Sequence, residues 1–162
     1  MNKKICLYRM TKTLARRYFR GYVNDPNLFL DDQEYYLYVY DEHKVDSFVE
    51  RYQKMGRVYF AVMLDNEPIG DIVLKNIDNN KKHCTLSISI KSDEYKNRGF
   101  GTQAEILALQ HAFNKMGMET VFTDSLLSNK RSQHVLKKVG FQETHQDDTF
   151  IYYHILMQSL SQ

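Results

Sequence analysis

The sequence predicts an α+β (mixed α/β) domain, a sheet covered by helices, and three observations carry that prediction. Strand-like and helix-like segments follow one another in the order strand, helices, antiparallel strands, helix, strand, helix, strands. Two of the strand-like segments are joined by the tight turn Asp65-Asn66-Glu67-Pro68, which makes them antiparallel neighbours. With 43% hydrophobic and 13% aromatic residues, two prolines and no low-complexity tract, the 162 residues have enough apolar surface for a core, and 1–162 reads as one domain.

The elements follow in order. Residues 5 to 10 read as a first strand, and Thr11 is placed to cap a helix carrying Leu14, Tyr18 and Tyr22 with the cations Arg16, Arg17 and Arg20. Asp25-Pro26-Asn27 is a turn, and the aromatic segment Tyr35-Tyr36-Leu37-Tyr38-Val39-Tyr40 follows. A helix is predicted from Asp46 to about Lys54, with Phe48, Val49 and Tyr52 on one face and Gly56 after it. Residues 58–64 and 69–74 form the hairpin, and the polar loop 78–82 leads to 84–90, where apolar and polar side chains alternate as on a half-buried strand. After a glycine-containing loop, Ala104, Leu107, Ala108, His111, Ala112 and Met116 recur at helical spacing up to Gly117. Residues 120–124 are a short strand, Ser128 or Asn129 caps a helix holding Val135, Leu136 and Val139, Gly140 stops it, and Phe141 opens a last pair of strands through Ile155.

Composition excludes some function classes. Twenty-two Lys and Arg against twenty Asp and Glu leave a formal charge of +2, without the basic excess of a general nucleic-acid binder. Cys6 and Cys84 form no C-x-x-C pair and are too few for a zinc site or a disulfide framework, so they are expected as buried thiols in a reducing compartment, with no metal. Lys3 and Lys4 are followed by no apolar leader, and no later run is long enough to span a membrane, so the expectation is a soluble cytoplasmic protein.

The strongest chemical signal is Ser92 to Thr102, where a strand ends, cations and glycines follow, and a helix begins. Gly99 and Gly101 let the backbone curl so that free N–H groups and the helix N-terminus face an anion, and Lys96 and Arg98 add charge. The spacing matches neither the Walker pattern nor G-x-G-x-x-G after a first strand. On those two glycines alone, a turn entering an ordinary helix is an equal reading.

Lys96-Asn97-Arg98-Gly99-Phe100-Gly101 resembles the acetyl-coenzyme A loop of the GNAT N-acetyltransferase superfamily, in which Gln or Arg is followed after two residues by Gly, one residue, then Gly or Ala; here Lys stands first. That family also opens its fourth helix with Asn and closes it with Gly-Phe, and Asn129-Lys130-Arg131-Ser132 runs to Gly140-Phe141 at that spacing. The Ser of N-x-x-S is most like the branch of ribosomal-protein alanine acetyltransferases and related small-amine enzymes. The likeness covers the last hundred residues well and residues 1–56 in outline only.

The resemblance implies a mostly antiparallel twisted sheet of about six to seven strands flanked by about four helices, and transfer of acetyl from acetyl-CoA to a primary amine. It implies a splay between the strands at 85–90 and 120–124, where backbone of Ile88, Ser89 and Ile90 meets the pantetheine arm, with Lys96, Asn97, Arg98, Gly99, Phe100, Gly101, Thr102, Asn129 and Ser132 as the other cofactor-binding residues. Many relatives place a Tyr seven residues after the Asn to protonate the thiolate; this chain has Leu136, which makes Ser132 the group to hydrogen-bond the sulfur. Some relatives place a base Glu on the fourth strand, where this chain has Thr85 or Ser87, so Asp124, His145, Asp147 and Asp148 are the titratable candidates.

Asp31, Asp32, Glu34, Asp41, Glu42 and Asp46 make residues 25–50 acidic, a cover that attracts a cationic acceptor (a polyamine, an aminoglycoside or a basic protein N-terminus) or a solvated face. Tyr35, Tyr36, Tyr38 and Tyr40 read as an acceptor-pocket wall or a homodimer contact. A catalytically silent acyl-CoA-binding module is the competing reading, and turnover with a panel of amines separates the two.

Overall fold

The protein is described by a computed structural model for residues 3–160. Seven strands form one sheet in the order β1-β2-β3-β4-β5-β7-β6, with β1 at Ile5–Arg9, β2 at Val58–Leu64, β3 at Glu67–Asp78, β4 at His83–Ile90, β5 at Thr120–Leu126, β6 at Gln142–Gln146 and β7 at Phe150–Leu156. All pairs are antiparallel except β4 with β5. The helices are α1 at Lys12–Arg20, α2 at Glu42–Lys54, α3 at Phe100–Asn114, α4 at Lys130–Val139 and a final turn, α5, at Met157–Leu160. The expected mixed α/β sheet with flanking helices is present.

Strand alternation divides the core in two. Phe60, Val62, Ile72, Leu74, Leu86 and Val121 face α3 and α4, where Ala104, Ala108, Leu109 and Leu136 meet them. Tyr59, Ala61, Met63 and Val73 face the other way, onto Ala15 and Tyr18 of α1 and Val45 and Val49 of α2. Helices therefore cover both faces.

Local chemistry sets the helix ends. Thr11 caps α1 by accepting from the Leu14 N–H at 3.1 Å, as expected. The second helix starts earlier than Asp46, because Asp41 accepts the Lys44 N–H at 3.0 Å and so caps α2 at Glu42. Of the two candidates for α4, Asn129 is the cap, through the Ser132 N–H at 3.1 Å. The cysteine expectation is half right: Cys84 is buried, but Cys6 is exposed, because the period of two on β1 turns it away from the side on which Ile5 is buried. Among the described residues no helix is long and apolar enough to cross a membrane.

A polar group is built into the α1 face of the core. Asp71 on β3 accepts the hydroxyls of Tyr59 at 2.7 Å and Tyr18 at 3.1 Å. Burial outweighs those hydrogen bonds and raises its carboxyl from an ordinary 3.8 to about 6. The folded protein thus holds this proton more tightly than the unfolded chain. The group's contribution to stability is complete below pH 3.8 and is lost as pH rises through about 6, a change of about 3 kcal/mol. Asp71→Asn, whose amide oxygen still accepts one tyrosine hydroxyl, should remove that dependence. In urea titrations at pH 4 and pH 7.5, the variant should gain about 2.5 kcal/mol on the wild type between the two.

Candidate functional site

The site forms where the sheet comes apart. β4 and β5 pair in parallel only at His83–Thr120, Cys84–Val121 and Thr85–Phe122. Beyond that the strands diverge, as the resemblance implied, and the Thr123 hydroxyl donates to the Leu86 carbonyl at 2.9 Å across the fork. Between them lies a cleft of about 540 Å³.

Its walls come from four places. Ile88, Ser89 and Ile90 of β4 line one side, and Thr123, Asp124, Ser125 and Leu126 of β5 the other. Gly101 and Glu105 of α3 with Asn129, Arg131, Ser132 and Leu136 of α4 form a third part of the lining. Asp25, Leu28, Phe29, Leu30 and Glu34, from the segment between α1 and α2, complete it. That segment is seated on the sheet by the Val23 N–H donating to the Lys91 carbonyl at 2.9 Å.

A smaller pocket of about 270 Å³ adjoins the cleft at the glycine loop, lined by Lys96, Asn97, Gly99, Gly101, Thr102, Arg131, His134 and Lys138. Gly99 has φ +79° and precedes the first residue of α3, so the curl needs a residue without a side-chain penalty there. Asn97 is also left-handed, at φ 58°. The loop presents the free N–H groups and positive end of α3 to this pocket.

The charges there differ from the expectation in one respect. Lys96 is 2.7 Å from Asp25 and 3.0 Å from Asp93, with its side chain 9% exposed, so its ammonium is already paired. Burial disfavours ionisation of Asp25, but the Lys96 ammonium and the Asn27 amides outweigh it and hold the carboxyl below its ordinary value. Sequence reasoning missed Arg131. Its Nη1 is buried 3.7 Å from Asp93 and donates no hydrogen bond, which leaves an N–H for an incoming anion. Arg98 lies over the Phe100 ring at 5.1 Å and faces a neighbouring depression with Lys138, while the Phe100 ring itself is buried in the core.

Asp124 lies at the edge of the cleft, exposed to water. His145 does not line it; its ring stacks on Tyr152 at 4.4 Å, and it shares with Asp124 a separate depression outside β5. Asp147 accepts the N–H groups of Phe150 and Thr149 and the Tyr152 hydroxyl, bonds that hold its carboxyl below the ordinary range and commit it to the turn. Asp148 is exposed in the same turn.

Most of the acidic cover is engaged. Glu42 and Asp46 pair with Arg16, Asp41 caps α2, and Asp31 accepts the Gln33 N–H, while the side chain of Asp32 lies outside the described residues. Glu34 remains as its cleft-lining member, and Asp25, which also lines the cleft, is held by Lys96. The tyrosines of 35–40 do not line the cleft. Tyr38 packs on Phe19 and Tyr22, and Tyr35 and Tyr36 pack on Phe29, whose ring does line it.

Similarity to known proteins agrees with this architecture. Over 103 residues the chain is 27% identical to a spermidine N(1)-acetyltransferase of Escherichia coli (strain K12), a stretch that is 64% of this chain and half the length of that relative. A nucleotide-linked sugar GNAT superposes with TM-score 0.81 at 20% identity, covering 99% of this chain and 90% of the other. An aminoglycoside acetyltransferase in complex with coenzyme A superposes with TM-score 0.78 at 16% identity, covering 98% of both chains. The family described as "Acetyltransferase (GNAT) domain" matches residues 4–142, and the chain belongs to that family.

Proposed function

We propose that this protein is an N-acetyltransferase that moves acetyl from acetyl-CoA to the primary amine of a small cationic metabolite. The observation that carries the reading is the cleft at the fork of β4 and β5, which adjoins the glycine-loop pocket and has the exposed carboxylate of Glu34 in its lining. An anion with a long polar arm suits the loop and the fork, and an ammonium suits Glu34. Arg131, whose Nη1 donates no hydrogen bond, and the N-terminus of α3 fit the phosphates. Backbone groups of Ile88, Ser89 and Ile90 fit the amides of the arm and polarise the thioester carbonyl. Ser132, in the first turn of α4, lines the cleft, which supports a hydrogen bond from its hydroxyl to the sulfur. The spermidine and aminoglycoside acetyltransferases among the similar proteins favour a polyamine-like acceptor. A protein N-terminus, as in the ribosomal-protein alanine branch, is the other acceptor class to try.

Saturating acetyl-CoA at a hundredfold over its Kd should stabilise the protein by about 2.7 kcal/mol, raising Tm by roughly 5–10 °C. Release of free CoA should then follow with spermidine or an aminoglycoside and not with uncharged amines. A well-folded protein with an unchanged Tm sinks the cofactor assignment; turnover confined to alanine-initiated peptides moves the acceptor to the second class.

A further inference from the structure

The cleft contains a carboxyl that has no partner. Glu105, one turn into α3, is 2% exposed, lines the same cleft as Leu86, Ser132 and Leu136, and its Oε2 is buried without a hydrogen bond. An unpaired buried polar group is costly, so its retention at this position calls for a use.

The chemistry of the proposed reaction has an unfilled role. When an amine displaces a thiol from a thioester, the sulfur leaves with the electron pair of the C–S bond, and a thiolate in a water-poor cleft needs a proton. Among the described residues, no His, Cys or Tyr lines the cleft. Asp25 and Lys96 are paired with each other, and Glu34 and Asp124 are exposed to water. A serine hydroxyl such as Ser132 can steady the sulfur but is a poor acid.

We propose that Glu105 is the catalytic acid that delivers a proton to the departing sulfur, an inference that rests on the acetyl-transfer reading above. The amine nitrogen bonds to the carbonyl carbon, the carbon–sulfur bond breaks with its electrons on sulfur, and the Glu105 carboxyl proton moves to sulfur. The proton shed by the nitrogen passes to water, and Glu105 takes one back from water before the next turnover. Burial raises this carboxyl from an ordinary 4.5 to about 8, which keeps it protonated at neutral pH. Lys96, Arg131 on α4 and Asp124 on β5 share the cleft with it, yet burial alone accounts for the shift.

The test compares Glu105→Gln, which keeps the shape and loses the acid, with the wild type. The variant should lose about 100-fold in kcat while its KM for acetyl-CoA and its calorimetric affinity for CoA stay within twofold. The wild-type kcat should fall as pH rises through about 8, and that limb should be missing from the variant. The infrared band of a protonated carboxyl, present in the wild type at pH 7, should vanish in the variant. Glu105→Leu should melt at or above the wild-type temperature, which shows that lost activity is not lost folding. Full turnover by Glu105→Gln, or a loss confined to KM and CoA affinity, overturns the role. Failure of the unaltered protein to bind acetyl-CoA overturns the acetyl-transfer reading itself, and the role with it.

Discussion

Gly101→Asp is expected to abolish binding of coenzyme A, by at least 100-fold in calorimetry, while Tm stays within a degree or two. A Cβ at Gly101 meets nothing within 4 Å, so the side chain enters without displacing protein atoms. The position is in the first turn of α3, where an aspartate suits the helix dipole and replaces the poorest helix former short of proline. The same carboxylate enters the pocket proposed for the phosphates, where charge repulsion and lost approach to the backbone act together. Gly99→Asp is a less clean probe, because its φ of +79° imposes about 1–2 kcal/mol of backbone strain. Retained affinity in a well-folded Gly101→Asp protein would place the phosphates elsewhere.

The second large effect lies on the neighbouring strand. At Gly70 a Cβ would stand 2.7 Å from the Ser89 carbonyl oxygen, 3.0 Å from Ile90 Cδ1 and 3.4 Å from Val62 Cβ. The closest of these is backbone, which cannot rotate away. Gly70→Ala should therefore cost about 1–3 kcal/mol in denaturant titrations and push Ser89 and Ile90 toward the cleft. Cofactor affinity should fall with stability, although the substitution is outside the cleft wall. If affinity is kept while stability drops, the β4 backbone at 89–90 is not a cofactor contact.

How far the sequence anticipates this site depends on how local each signal is. The hairpin of β2 and β3, the glycine loop and the Gly140-Phe141 end of α4 are written in a few adjacent residues and all are found, although the turn is tighter than expected, with Glu67 and Pro68 already paired in β3, which runs on to Asp78. Glu105 is not legible in the sequence, because a helix with one apolar stripe turns a glutamate beside that stripe to solvent. In fact α3 buries Phe100, Ala104, Glu105, Ala108, Leu109, Ala112 and Phe113, since it is covered by the sheet on one side and α4 on another. Its burial is a tertiary fact with no period of its own. Lys96 shows the converse limit: its spacing marks an anion loop, but its ion pair with Asp25 spans 71 positions in the chain.

That ion pair ties the segment between α1 and α2 to the glycine loop. One ammonium holds Asp25, from the segment that carries Glu34, and Asp93, from the turn before the glycine loop. Under the acetyl-transfer reading, an anion bound at the loop would compete with both carboxylates for that charge, so its binding and the seating of the segment would be linked. Linkage is reciprocal: whatever the seating of the segment does to anion affinity, the anion does to the seating by the same factor.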